Sequence, residues 1–257
     1  MIPKIIHYCW FGTKEIPQME KECMESWKKY LPDYEIRLWN ETNFDLSICK
    51  YVQEAYNAKK YAFVSDFCRI YALYEYGGIY FDTDVEVLKR FDPLLEHRAF
   101  LGFENRTMVG TAMIALEPHS SLANEMLDYY MKTPFYDACG NENLTTNVTL
   151  LNKILEKYGI KHENSFQNLQ DGIVVYPREY FFPKKLSETE FRITDAAYCV
   201  HKMSGTWLTA RQKRIGSNKF WINVCRPILR GCQNACIAIL GKDRAKNLEI
   251  RVRNMIK

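Results

Sequence analysis

The sequence predicts an α/β fold over residues 1–210, followed by a basic helical tail at 211–257. Three observations predict it. The chain opens strand–helix–strand, the order of a parallel α/β unit. Short apolar runs of strand length then recur to about residue 200, with helical stretches between them. Charge also divides along the chain: residues 211–257 hold twelve Lys and Arg against Asp243 and Glu249, about +10, while residues 1–210 carry about −6.

Composition supports a folded chain. Of 257 residues, 47% are hydrophobic and 26% charged, and 17 Tyr, 14 Phe and 5 Trp supply the area for a core. No window approaches the ~20 uncharged apolar residues of a membrane span. The opening Met1-Ile2-Pro3-Lys4 reads at once as strand rather than as a leader. Secretion and membrane insertion are therefore not expected. The nine cysteines (Cys9, Cys23, Cys49, Cys68, Cys139, Cys199, Cys225, Cys232 and Cys236) are odd in number and scattered. They suit free thiols in a reducing compartment better than disulfides or zinc ligands. A cytosolic protein is the expectation.

The elements follow in order. Ile2–Phe11 is an apolar run ending at Gly12, the pattern of a buried strand. Lys21–Tyr30 repeats Cys23, Trp27 and Tyr30 at helical spacing, and Leu31-Pro32-Asp33 stops it. Tyr34, Ile36 and Leu38 alternate with charged residues, as in a strand. Ala62–Tyr76 is the clearest helix, with a core stripe of Phe63, Phe67, Ile70 and Tyr74. Gly77-Gly78 ends it. Ile79-Tyr80-Phe81 is a short strand that Asp82-Thr83-Asp84 interrupts, and Val85–Leu88 resumes it. Further strands are expected at Ala99–Phe103, Ala112–Leu116, Ile173–Tyr176 and Tyr198–Val200, with helices near Leu122–Met131 and Val148–Tyr158. In the tail, Phe220, Trp221, Val224, Ile228 and Leu229 repeat at near-helical spacing beside Arg226 and Arg230.

Chemistry concentrates around the double glycine. Asp82 and Asp84 are two apart, so on an extended segment both carboxylates face one side. They stand at the end of a buried strand, where open α/β sheets bind ligands. Together they would repel unless a cation joined them, and a hard divalent ion such as Mg²⁺ or Mn²⁺ fits. Such an ion works with phosphate oxygens and neutralises a diphosphate leaving group. An exposed turn with two solvated aspartates is the plain alternative. Asp66 and Arg69, three apart on the preceding helix, form either an intrahelical ion pair or a donor–acceptor set for sugar hydroxyls.

Four motifs occur in sequence: Ile2-Pro3-Lys4-Ile5-Ile6-His7-x-x-Trp10-Phe11-Gly12; Ser26-Trp27 with Leu31-Pro32-Asp33-Tyr34; Ser65-Asp66-x-x-Arg69; and Gly77-Gly78-Ile79-Tyr80-x-Asp82-x-Asp84. In that order they resemble the Asp-x-Asp sugar-nucleotide glycosyltransferases of family 32. That family includes fungal initiating mannosyltransferases, bacterial capsular and exopolysaccharide transferases and, more distantly, the glucosylating domains of clostridial toxins. The resemblance is dense over roughly residues 1–92 and thin until His201–Trp207.

It implies a GT-A-like, Rossmann-like mixed sheet flanked by helices and a Mn²⁺- or Mg²⁺-dependent retaining transfer of a hexose from a UDP- or GDP-sugar. By the same resemblance Trp10 would stack on the nucleobase, and Asp66 and Arg69 would hold donor-sugar hydroxyls. Asp82 would contact ribose and sugar, and Asp84 would ligate the metal. Tyr80 matches an aromatic beside the donor, though a core tyrosine reads the same. His201-Lys202-Met203-Ser204-Gly205-Thr206-Trp207 resembles a late His…Ser-Trp segment. It would bring His201 to the metal or diphosphate and close Trp207 over the donor. The fungal relatives carry a Thr-Gly-Pro in mid-chain, whereas Thr145-Thr146-Asn147 lacks the Gly-Pro, so no acceptor site is assigned there.

The fungal relatives also carry a membrane anchor before the domain, and here the first strand stands at the start. The expectation is a bacterial cytosolic enzyme of capsular or exopolysaccharide synthesis acting on a glycan or lipid-linked oligosaccharide acceptor. The basic tail would rest on the anionic inner face of the membrane, or else pack as a solvated helical face. No nucleic-acid module is present. Two rivals remain open: an aspartyl-nucleophile phosphotransferase or phosphatase built on Phe81-Asp82-Thr83-Asp84, and a non-enzymatic membrane-surface adaptor.

Overall fold

The first motif forms the centre of a sheet. In the computed structural model, which describes residues 1–184 and 190–205, the strands are β1 (Ile5–Cys9), β2 (Glu35–Trp39), β3 (Gly78–Phe81), β4 (Val85–Val87), β5 (Ala99–Gly102), β6 (Met113–Leu116), β7 (Gln167–Asn168), β8 (Ile173–Tyr176) and β9 (Cys199–His201). Seven of them form one mixed sheet in the order β2-β1-β3-β6-β5-β8-β7. β1 lies parallel to both β2 and β3, β6 runs antiparallel to β3 and β5, and β8 lies parallel to β5. β4 and β9 form a separate antiparallel pair with Val85 opposite His201.

The helices are α1 (Gln18–Tyr30), α2 (Lys50–Asn57), α3 (Tyr61–Tyr76), α4 (Ser121–Lys132) and α5 (Asn147–Leu155). The mixed sheet flanked by helices is the arrangement the resemblance implies. The tail at 211–257, the boundary at residue 210, Trp207, Cys225, Cys232 and Cys236 lie outside the described residues. Among the described residues no helix is long and apolar enough to cross a membrane.

Two apolar clusters sit on opposite sides of the sheet. One gathers Phe67, Ile70, Tyr130, Phe135 and Leu151 among helices α2–α5. The other gathers Trp27, Phe81, Phe91, Phe100, Phe181 and Phe182 beneath β4 and β9. Against the predicted stripe of α3, Phe67 and Ile70 are buried but Phe63 and Tyr74 are only half-buried. The helix packs on α2, α4, β1 and β3 at once, so burial spreads to Val64, Cys68, Arg69, Ala72 and Leu73. A helix enclosed on several sides has no single apolar face.

The turn from α3 into β3 needs both glycines. Gly77 has φ 61° and Gly78 φ 107°, conformations that L-residues with a Cβ avoid. A Cβ on Gly78 would also lie 2.5 Å from the Ile5 carbonyl oxygen. Beside this turn His7, fully buried, donates from Nε2 to the Gly77 carbonyl at 2.8 Å and accepts at Nδ1 from the Trp39 indole at 3.0 Å. One imidazole thus ties β1, β2 and the entry to β3. Burial lowers its pKa to about 4, which keeps the neutral tautomer those two bonds require.

Cys9, Cys23, Cys49, Cys68 and Cys199 are buried free thiols, and Cys139 is exposed and free.

A candidate metal centre at the end of β3

Asp82 and Asp84 stand where the chain leaves the large sheet. Asp82 N–H bonds to the Ala112 carbonyl at 2.8 Å, and Val85 N–H to the Asp82 carbonyl at 3.0 Å. The second bond closes a turn, so the segment is not extended as its spacing predicts. The carboxylates converge through the turn rather than through strand alternation, because the chain must pass here from β3 to β4. The structure brings His201 to the same place on β9. One ligand atom each of Asp82, Asp84 and His201 lie within 4.8 Å of one another.

Asp84 is buried and firmly held. Its Oδ1 lies 3.3 Å from His201 Nε2, its Oδ2 accepts the Ser204 N–H at 2.8 Å, and its carbonyl accepts the Lys202 N–H at 2.9 Å. Burial alone would raise the carboxyl pKa, but His201 and the Ser204 amide hold it down at about 2. Burial opposes protonation of His201 as well, and Asp84 overcomes it, so the imidazole pKa is raised. The other ring nitrogen, Nδ1, is buried without a hydrogen-bond partner among the described residues. Two carboxylates and an imidazole that gives up its proton on ligation form a donor set suited to a divalent cation. Three protein ligands leave positions for substrate oxygens.

Behind Asp82 lies a second group of charges. Arg69 is buried, not beside the packed face of α3 as expected, and every guanidinium nitrogen is engaged. Nη1 meets Asp82 Oδ1 at 3.0 Å and donates to the Thr111 carbonyl at 2.9 Å; Nη2 meets Asp66 Oδ1 at 3.0 Å; Nε donates to the Ser65 carbonyl at 3.3 Å. The Tyr80 ring lies 4.5 Å beneath the guanidinium, and its hydroxyl donates to Asp82 Oδ1 at 2.9 Å. Tyr80, 2% exposed, is thus a core tyrosine that also braces the site. Asp66 and Arg69 form the intrahelical pair, and the same arginine bridges to Asp82.

Asp66 has further partners that the sequence reading missed. The Asn147 amide nitrogen Nδ2 donates to the Asp66 carbonyl at 2.8 Å, and the Asn147 N–H faces Asp66 Oδ2 at 3.4 Å. Burial raises the Asp66 pKa to about 6, against the pull of Arg69. Thr146 caps α5 by accepting the Thr149 N–H at 3.2 Å, so the mid-chain Thr145-Thr146-Asn147 stretch delivers Asn147 to Asp66. Asn152, one turn further, holds Val109 through both its N–H and its carbonyl, at 2.9 and 2.8 Å. The polar cap signal of Thr146 was the available clue.

Trp10 follows β1 at the same sheet edge, since His7 pairs with Tyr80. It is half-buried, with its indole N–H donating to the Lys14 carbonyl at 2.6 Å. No hydrogen bond links it to the acidic group.

Part of the chain is similar to known glycosyltransferases. The family model described as a glycosyltransferase sugar-binding region containing a DXD motif matches residues 17–101. Inositol phosphoceramide mannosyltransferase 3 of Schizosaccharomyces pombe is 36% identical over 108 residues, covering 39% of this chain and 29% of that protein. Mannosyl phosphorylinositol ceramide synthase SUR1 of Saccharomyces cerevisiae is 34% identical over 109 residues, covering 39% of this chain and 27% of that protein. These matches span less than a third of the length of those relatives. Among solved structures, the PaToxG glycosyltransferase is similar over 61% of this chain and 68% of that one, at 21% identity and a TM-score of 0.48.

Proposed function

We propose that this chain, whose residues 17–101 match the glycosyltransferase sugar-binding region containing a DXD motif, transfers a hexose from a nucleotide-diphosphate sugar to a hydroxyl acceptor in a divalent-metal-dependent reaction. The observation that supports this most is the convergence of Asp82, Asp84 and His201 within 4.8 Å at the end of a central strand. Asp84, ionised down to about pH 2, with Asp82 and His201, would hold Mn²⁺ or Mg²⁺. When bound, such an ion neutralises charge on the departing diphosphate.

The protein's own groups do the rest. Arg69 and Tyr80 fix one oxygen of Asp82 and leave the other free. Asp66, fastened by Arg69 and Asn147, presents a carboxylate suited to accept sugar hydroxyls. Trp10 at the neighbouring strand end suits a nucleobase, and by the resemblance Trp207 would close over the donor. We read the acceptor as a lipid carrying a polar or glycan headgroup, because two relatives are named for inositol phosphoceramide. Retention of anomeric configuration, a UDP- or GDP-linked donor, action at the cytoplasmic membrane face in capsular or exopolysaccharide synthesis and a tail resting on anionic lipid belong to the same proposal.

The test is donor hydrolysis across a panel of UDP- and GDP-hexoses with Mn²⁺, with and without chelator. The proposal expects release of one hexose that chelator abolishes and that Asp84→Ala reduces at least ~100-fold. Hydrolysis that survives both would overturn it. Release of phosphate from phosphomonoesters with no sugar nucleotide present would favour the aspartyl-nucleophile rival.

A further inference from the structure

We propose that Tyr51 and Tyr130 are positioning residues for Asp66: with Asn147 they enclose one buried water that donates a hydrogen bond to the Asp66 carboxylate. This rests on the glycosyl-transfer reading above, in which Asp66 accepts hydroxyls of the donor sugar.

Packed helices bring these groups together. α3 packs against α2 and α4, and α4 against α5. Tyr51 stands in the first turn of α2, Tyr130 in the last turn of α4 and Asn147 at the start of α5. The two tyrosine rings meet at 4.7 Å, and Phe67, next to Asp66 in α3, lies 5.8 Å from the Tyr130 ring. Asn147 reaches Asp66 directly, through the Nδ2 bond to the Asp66 carbonyl at 2.8 Å. That bond also fixes which end of the amide is oxygen. The negative charge of Asp66 acts on both phenols: burial raises their pKa values, and Asp66 raises them further.

What marks the group out is a set of buried polar atoms without a hydrogen-bond partner among the described residues: the Tyr51 hydroxyl, the Tyr130 hydroxyl and Asn147 Oδ1. All three residues are at most 1% exposed. Protein interiors pair such atoms with one another or with ordered water. At Asp66, Oδ1 meets Arg69 at 3.0 Å, while Oδ2 has the Asn147 N–H at 3.4 Å and room for a closer donor. Arg69 already supplies the counter-charge, so what the group lacks is hydrogen bonds rather than a second cation.

Donors and acceptors then match a single water. The ionised Asp66 carboxylate and the Asn147 oxygen only accept, whereas each tyrosine hydroxyl can donate. The two lone pairs of the water take the two phenol hydrogens, and its two hydrogens go to Asn147 Oδ1 and to Asp66. Held by Arg69, Asn147 and the water, the carboxylate keeps one orientation, and its half-buried side chain still presents an oxygen to the sugar. Losing one phenol hydroxyl loosens the water and lets the carboxylate turn. Sugar binding then weakens, while the Asp82–Asp84–His201 group keeps its own partners.

The experiment joins a high-resolution crystal structure of the full wild-type chain to Mn²⁺-supported hydrolysis of the preferred sugar nucleotide. Hydrolysis is read for Tyr51→Phe and Tyr130→Phe, each alone and combined with Asp66→Asn. Titration of the nucleoside diphosphate with Mn²⁺ runs in parallel and reports whether each variant is folded. The crystal should show a water within hydrogen-bond distance of both hydroxyls, Asn147 Oδ1 and Asp66. Each Tyr→Phe change should raise donor KM roughly three- to tenfold, leave nucleoside-diphosphate affinity unchanged and have no further effect once Asp66 is replaced. Hydroxyls bonded to each other or straight to Asp66, with no water between them, overturn the proposal. So does a KM that neither variant changes, or a KM rise that persists in the Asp66→Asn background. A wild type that hydrolyses no sugar nucleotide and binds neither UDP nor GDP with Mn²⁺ sinks the glycosyl-transfer reading and the positioning role with it, while the water itself still stands or falls by the crystal.

Discussion

The Tyr80 hydroxyl donates to Asp82 Oδ1 at 2.9 Å while the Tyr80 ring carries the Arg69 guanidinium at 4.5 Å. A single side chain therefore sets both the rotamer of a carboxylate of the candidate metal centre and the position of its counter-ion. Tyr80→Phe keeps the ring and removes only the donated bond. A hydrogen bond to a charged group is worth roughly 1.5–3 kcal/mol. The variant should therefore bind Mn²⁺–nucleotide about tenfold more weakly, with thermal unfolding little changed. Calorimetric titration checks it; unchanged affinity would show that the hydroxyl does not brace Asp82.

Asp66 titrates near the physiological range, since burial raises its pKa to about 6. Only the ionised form accepts hydroxyl hydrogen bonds with both oxygens. Donor KM should therefore rise as pH falls through about 6 and stay flat above about 7. Asp66→Asn should show a raised KM with no inflection there. KM measured from pH 5 to 8 decides it.

His7 predicts an acid-labile fold. Its native pKa of about 4 lies below the unfolded value of 6.5, so the unfolded chain binds a proton that the native chain refuses. Stability is complete above pH 6.5 and declines as pH falls towards 4, by roughly 3 kcal/mol. Urea unfolding of wild type and His7→Gln between pH 4 and 7 should show a shallower slope in the variant.

Asn152 replaces strand pairing at one point with an amide that satisfies Val109 on both sides. Asn152→Leu leaves a buried N–H and carbonyl without partners and should cost about 2–4 kcal/mol, read as a lower urea midpoint. It should also loosen the hairpin that carries Thr111, and with it the Arg69 contact.

Strong local signals explain how much was legible in the sequence. The Gly77-Gly78 turn admits few conformations, so α3 and β3 could be placed on either side of it. The Asp-x-Asp spacing placed Asp82 and Asp84 together, and the resemblance of the late His…Ser-Trp segment added His201 to the candidate metal centre. Other features were hidden because their signal is not local. α2 lies in Lys50–Asn57 with charged and polar residues among its apolar ones. Arg69 looked surface-bound until Thr111, Asp66 and Asp82, far apart in sequence, surrounded it. Asn147 and Asn152 are ordinary helix residues unless their partners are known, and Thr111 acts through its carbonyl, which any residue supplies. The turn at Asp82–Val85 was misread as extended because two-residue spacing fits both geometries.

The central claim is tested most directly by titrating UDP and GDP into the protein with and without Mn²⁺, for wild type and Asp84→Ala. The account predicts that one nucleotide binds only when Mn²⁺ is present, and that the substitution abolishes this binding while circular dichroism stays native. Nucleotide binding that is indifferent to Mn²⁺, or undiminished in Asp84→Ala, would contradict it.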